Sequence, residues 1–128
     1  MGESILMSEK WKRFYDYYEI SNEGRIRSID RILERETFSY RRPFKRRVKG
    51  KVLRLQRDKN GYYHTRLYNR LGEAKVFYLH RLLMKYYGPE KPASGHYVIE
   101  FKDGNRDNLS LRNLIWLERY KLYQNRKN

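Results

Sequence analysis

Apolar positions along this chain come in short bursts rather than long stripes, which predicts small strands and turns with little helix. Tyr17 to Ile29 reads as a hairpin. Tyr18-Glu19-Ile20 runs into the turn Ser21-Asn22-Glu23-Gly24, and Ile26 and Ile29 anchor the return strand. Val52-Leu53-Arg54-Leu55 predicts a short strand. Asp58-Lys59-Asn60-Gly61 is a hairpin turn, because Asn-Gly readily takes positive φ. Tyr62 to Tyr68 alternates, with Tyr63, Thr65 and Leu67 against His64, Arg66 and Tyr68, and Lys75 to Leu79 predicts the next strand. From His80 to Tyr87 the spacing changes to three and four, through Leu82, Leu83, Tyr86 and Tyr87. A short helix is expected there, stopped by Gly88-Pro89. Tyr97 to Phe101 and Asn113 to Trp116 predict two strands around a polar loop, Lys102 to Asn108, and Glu118 to Asn125 a closing helix. The class is α+β: a small antiparallel β-sheet N-terminal region (8–59) followed by central strands, a short helix and a ββα unit (60–128).

Composition makes the core lean and the surface cationic. Of 128 residues, 39% are hydrophobic and 35% charged, with 13 Tyr to cover apolar surface while keeping a polar tip in water. The net charge is +15, which opposes compaction and implies a polyanionic partner. No apolar run approaches the roughly 20 residues that span a bilayer, so no membrane role is expected. There is no Cys, hence no disulfide and no thiolate metal site, which fits a reducing cytoplasm. The charge is uneven. Residues 1–38 carry seven basic and eight acidic side chains, whereas 39–59 carry ten basic residues and one acid. Arg41, Arg42, Lys45, Arg46, Arg47, Lys49 and Lys51 therefore read as an arm laid along phosphates. Arg25 and Arg27, beside the hairpin turn, are candidates for groove contacts.

Several linked stretches resemble one family. VIEFKDGNRDNLSLRNLIW resembles the motif of phage HNH homing endonucleases, with Asp103-Gly104-Asn105, Asn108, Asn113-Leu114 and Trp116 in place. YLHRLLMKYYGPEKP resembles the segment upstream in those enzymes, where His80 would make a structural hydrogen bond. WKRFYDYYEISNEGRIRSI and GKVLRLQRDKNGYYHTRLY resemble the nuclease-associated modular DNA-binding domain that precedes it. The resemblance covers about residues 11 to 120. It implies a ββα-metal fold docked on duplex DNA and a Mg²⁺- or Mn²⁺-dependent nuclease centre. In the family a general-base His directly precedes the K-D-G-N run. Here that position is Phe101, preceded by Glu100 where the family has a metal ligand. A second ligand, on the helix after the Trp, would fall at Leu122, with Gln124 and Asn125 nearby.

Hydrolysis of this kind needs a metal to stabilise the leaving oxygen and a neutral imidazole to take a proton from water, and Phe does neither. His96 lies five positions before Phe101, roughly 16 Å along an extended strand, too far to substitute. His64 is expected at the surface, and Trp11, Trp116 and Val98 in the core. The expectation is thus a nucleic-acid-binding protein on a nuclease scaffold without cleavage and without a cofactor. Duplex DNA is the favoured partner. One alternative is a nicking enzyme with Glu100 on Mg²⁺ or Mn²⁺. Another is an RNA-bound subunit of a ribonucleoprotein. The expected location is the cytoplasm of a bacterial or phage-infected cell, or an organelle in the ribonucleoprotein case.

Overall fold

The structure, a computed structural model, describes residues 8–37 and 42–119. Strands β1 (Trp11–Tyr15), β2 (Tyr18–Ser21) and β3 (Ile26–Ser28) form an antiparallel meander. β4 (Arg31–Thr37) and β5 (Arg42–Val48) pair as a two-stranded ribbon. β6 (Gln56–Arg57), β7 (Tyr63–Tyr68) and β8 (Ala74–Tyr78) make a second antiparallel sheet. Helix α1 (Leu79–Tyr87) leads to the hairpin β9 (Tyr97–Phe101) and β10 (Leu114–Glu118), with a 3₁₀ turn at Leu111–Asn113 before β10. The small antiparallel sheets followed by a ββ unit match the expected α+β class. The closing helix expected over 118–125 lies largely outside the described residues.

One apolar cluster holds these pieces. Leu79, Leu82, Leu83 and Met84 of α1 are buried against Ile20 and Ile26 from the first sheet, and Phe101 and Leu114 from the β9–β10 hairpin. The cluster therefore draws on both sides of residue 59. Helix α1 is further tied to the N-terminal sheet by Tyr87, whose hydroxyl donates to the Ile20 carbonyl (2.7 Å) and the Lys10 carbonyl (3.1 Å). Burial pushes the Tyr87 phenol up, and so do Glu19 and Glu9, which keeps it a donor. Gly88 ends the helix, its N–H reaching the carbonyls of Leu83 and Met84.

Several local expectations change. The basic stretch is not an irregular arm: Arg42–Val48 is β5, in register with a partner strand that begins at Arg31. The Lys and Arg density concealed that pairing, although the two strands follow one another along the chain, with Thr37 opposite Arg42. Val52–Leu55 is not a strand of its own. Val52 bridges Arg27 and the Leu53 N–H reaches the Ile26 carbonyl (2.8 Å), which adds a short edge to β3 and turns Leu53 and Leu55 toward the core. Trp11 is not core either. It sits on β1 with the Arg27 guanidinium 4.0 Å and that of Arg25 5.7 Å from its ring centre. Val98 is only half-buried.

Gly50 marks the foot of the ribbon. Its N–H donates to Asp30 Oδ1 at 2.6 Å, and a Cβ there would overlap the Ser28 carbonyl oxygen and lie 2.9 Å from the Ile29 carbonyl carbon. These neighbours are backbone and cannot rotate away. Gly50→Ala should therefore destabilise the protein by about 1–3 kcal/mol, as overpacking does. Urea unfolding followed by circular dichroism checks this, and Gly72→Ala, whose Cβ meets nothing within 4 Å, separates overpacking from the backbone cost of a left-handed glycine.

Candidate functional site

The polar loop between β9 and β10 is built around one carboxylate. Asp103 Oδ1 accepts from Asn113 Nδ2 (2.8 Å) and the Asn105 N–H (2.8 Å), while Oδ2 accepts from Asn108 Nδ2 (2.9 Å). Asn113 returns the contact, its Oδ1 accepting the Asp103 N–H at 3.0 Å, and donates to the Asn108 carbonyl (3.0 Å). The Asn108 amide leads in holding the Asp103 carboxyl below its usual range, followed by the Asn105 N–H and the Asn113 amide. Gly104, at φ +74°, supplies the left-handed turn, and its N–H reaches the Phe101 carbonyl (2.9 Å). Trp116 Nε1 donates to the Pro89 carbonyl at 2.9 Å and so pins β10 to the link after α1. Asp103, Gly104, Asn105, Asn108, Asn113 and Trp116 are thus brought together as architecture.

Phe101 faces inward from this loop. It is 7% exposed, with its ring 5.7 Å from that of His80 and 6.1 Å from that of Tyr62. Position 101 therefore carries an apolar side chain built into the core, beside a second imidazole. Glu100 is half-buried on β9 opposite Ile115. Leu122, Gln124 and Asn125 lie outside the described residues. No group of three or more His, Cys, Asp or Glu that could hold a metal occurs among the described residues. One carboxylate beside a phenyl ring is a poor donor set for a hard divalent cation, which takes several oxygen ligands. The described residues thus do not fit the metal centre that the motif implies.

His80 departs from the expectation of a structural hydrogen bond. It is 7% exposed, its ring stacks on Tyr62 at 4.9 Å, and its Nδ1 has no partner. Burial, reinforced by Arg81, pushes its pKa down to about 4. His64 is likewise half-buried rather than at the surface, its ring 5.5 Å from that of Tyr78 and its Nδ1 without a partner.

The cationic candidates divide into two groups. Arg25 is ion-paired with Glu9, and Arg27 with Glu19 at 2.8 Å, with 52% and 40% of the two arginine side chains exposed. Arg46, Arg47, Lys49 and Lys51 are exposed. Arg42 and Lys45 lie on β5, and Arg41 lies outside the described residues. A further surface escaped the sequence reading. Gln56 pairs with His64, Arg66 with Val76 and Tyr68 with Ala74, so these residues share one face of the second sheet. Arg66 is exposed there, and Tyr68 and Val76 are each 50% exposed. The alternation that placed Thr65 and Leu67 inside already contained this signal, because their neighbours must point outward.

The architecture, an antiparallel N-terminal region joined to an Asx-braced ββ unit, is that of an HNH endonuclease fold. Residues 9–68 match the NUMOD4 motif and residues 77–121 the HNH endonuclease domain. The chain belongs to the HNH homing endonuclease family. A similar curated protein is DNA endonuclease I-HmuI of Bacillus phage SP01, 31% identical over 113 residues, covering 84% of this chain and 52% of that protein. A solved structure described as DNA binding and cleavage by the HNH homing endonuclease I-HmuI superimposes with a TM-score of 0.65 at 28% identity. It covers 92% of this chain and 57% of the other. This chain thus spans about half the length of its relative.

The buried imidazole has a consequence for stability. His80 titrates near 4 when folded against a usual value of 6.5, so between these values the unfolded chain binds the proton and the folded one does not. Stability is fully present above about pH 6.5 and is lost as the pH falls toward 4, by roughly 3 kcal/mol in total for a shift of this size. Urea midpoints measured across that range should show the decline, and His80→Gln should flatten it.

Proposed function

We propose that this chain binds duplex DNA and does not hydrolyse it. The observation that supports the second half is Phe101, a buried phenyl ring at the position where the family carries its proton acceptor. A water beside Glu100 has no imidazole at position 101 to activate it. Loss of a general base typically costs 10²- to 10⁴-fold, and a poor metal donor set adds to that.

The binding half rests on charge and shape. The exposed cations Arg46, Arg47, Lys49 and Lys51 cluster on the ribbon and at its foot, and phosphate neutralisation supplies affinity without sequence information. The outer face of the second sheet carries Gln56, Arg66 and Tyr68 beside the Val76 side chain. Strands present such mixed faces to a groove, where amide and guanidinium groups read base edges and apolar groups meet the thymine methyl. The DNA bound and cleaved by I-HmuI supports DNA over structured RNA as the partner.

Affinity for duplex DNA should fall steeply with salt, by about 0.9 log units per log unit of salt for each phosphate neutralised. Replacing Arg41, Arg42, Arg46 and Arg47 together by Gln should make that slope shallower by roughly 2–4. Fluorescence anisotropy at several salt concentrations reads this directly. An unchanged slope removes the ribbon from the interface, and tighter binding to structured RNA than to duplex DNA favours the ribonucleoprotein reading.

Purified protein should leave supercoiled plasmid intact with Mg²⁺ or Mn²⁺. Phe101→His alone should restore little, because the imidazole would enter the core without a metal-bound water beside it. Metal-dependent nicking by the unaltered chain, abolished by Glu100→Ala, would establish an active nuclease instead.

A further inference from the structure

A cleft of about 750 Å³ opens between α1, the link after it and the β9–β10 hairpin. Met84, Val98, Ile99 and Trp116 give it apolar lining, Ile99 and Trp116 being directly paired across the hairpin. Its charged lining is Arg81, Lys85 and Lys91 with the acids Asp58 and Glu90. His80, Tyr62 and Tyr78 make the inner wall, and Asp58 fixes the last of these by accepting the Tyr78 hydroxyl at 3.1 Å. His80 is more than nine-tenths buried, and its unpartnered Nδ1 belongs to a ring that lines this cleft.

Three features converge on one chemistry. An indole in the lining suits a planar base, because aromatic side chains stack with every base. Three cations against two acids leave the lining net positive, which suits a phosphate. The volume lies within the range of pockets that hold small ligands. The geometry points to this cleft as a receptor for one unpaired nucleotide of a nucleic-acid strand, its base against Trp116 and its phosphate on Arg81 and Lys85. This rests on the reading of the chain as a nucleic-acid-binding protein and adds a site apart from the ribbon and the outer sheet face. No bond is made or broken. The cleft holds a nucleotide that has left the stack.

The test uses the full chain in a Trp11→Phe background, so that Trp116 is the remaining indole. Adenosine 5′-monophosphate should quench its fluorescence saturably. A duplex with one bulged nucleotide should bind roughly tenfold tighter than the same duplex fully paired, as stacking of one base provides. Val98→Phe, which enlarges the apolar lining without altering charge, should abolish both the quench and the bulge preference while leaving affinity for the paired duplex in place. Lys85→Gln, at an exposed position, should weaken the quench and serves if the first variant folds poorly. Equal affinity for bulged and paired duplex overturns the inference, as does a preference that survives in both variants. Quenching by the free nucleotide without bulge preference overturns it in favour of a free-nucleotide site. If neither duplex binds, the proposed function falls, and the nucleotide titration still reports on the cleft by itself.

Discussion

The burial of one helix face holds the rest of the structure. Leu79 and Leu83 of α1 have no exposed surface, and they meet Ile20 and Ile26, which have none either. Each such side chain contributes roughly 1.5–3 kcal/mol on leaving water. Few others are available in a chain with 15 more basic than acidic residues, whose self-repulsion acts against the compact state. The first sheet, the second sheet and the β9–β10 hairpin each expose one side to solvent, so each depends on this shared contact. Tyr87 extends it with directional bonds to the Ile20 and Lys10 carbonyls, which fix how the helix lies on the first sheet.

The loop at Asp103 shows how a motif can be built as self-contained architecture. Its residues satisfy one another: a carboxylate accepts from two asparagine amides and a backbone N–H, and the asparagines accept from further backbone N–H groups. None of these bonds involves a side chain at position 100 or 101. The loop's closure is therefore set by its own asparagines and Asp103 rather than by the side chain at position 101. The charges also divide. The acids that pair, Glu9, Glu19 and Asp107, hold Arg25, Arg27 and Arg57 close to the body, whereas Arg46 and Arg47 stand out on the ribbon.

The parts legible in the sequence are those whose partners are near in sequence. The β2–β3 hairpin, the Asn60-Gly61 turn, the alternation of β7 and the Asx-rich loop each carry their own signal within a few residues. Strand β1 and the ribbon were missed although each pairs with the next strand along the chain, because charged side chains mask their pattern. Lys12 and Arg13 are exposed and break the alternation of β1, and the run from Arg41 to Lys49 has the charge of a loop, while its partner begins at Arg31. For the candidate site, the identity of position 101 could be read from the motif, but the surroundings of His80 could not. That the ring loses its hydrogen bond and stacks on Tyr62 depends on a contact across 18 residues and a turn. The Arg25 ion pair was not legible because Glu9 lies outside the hairpin, whereas that of Arg27 follows from the register that sets it opposite Glu19.

The Phe101 ring shares the interior with His80, Tyr62 and Leu114, so the side chain at this position is part of what keeps the chain folded. Exchanging the phenyl group for an imidazole would set a second polar ring next to one that already lacks a partner, so the chemistry position 101 can host is limited by the folding free energy it must first supply.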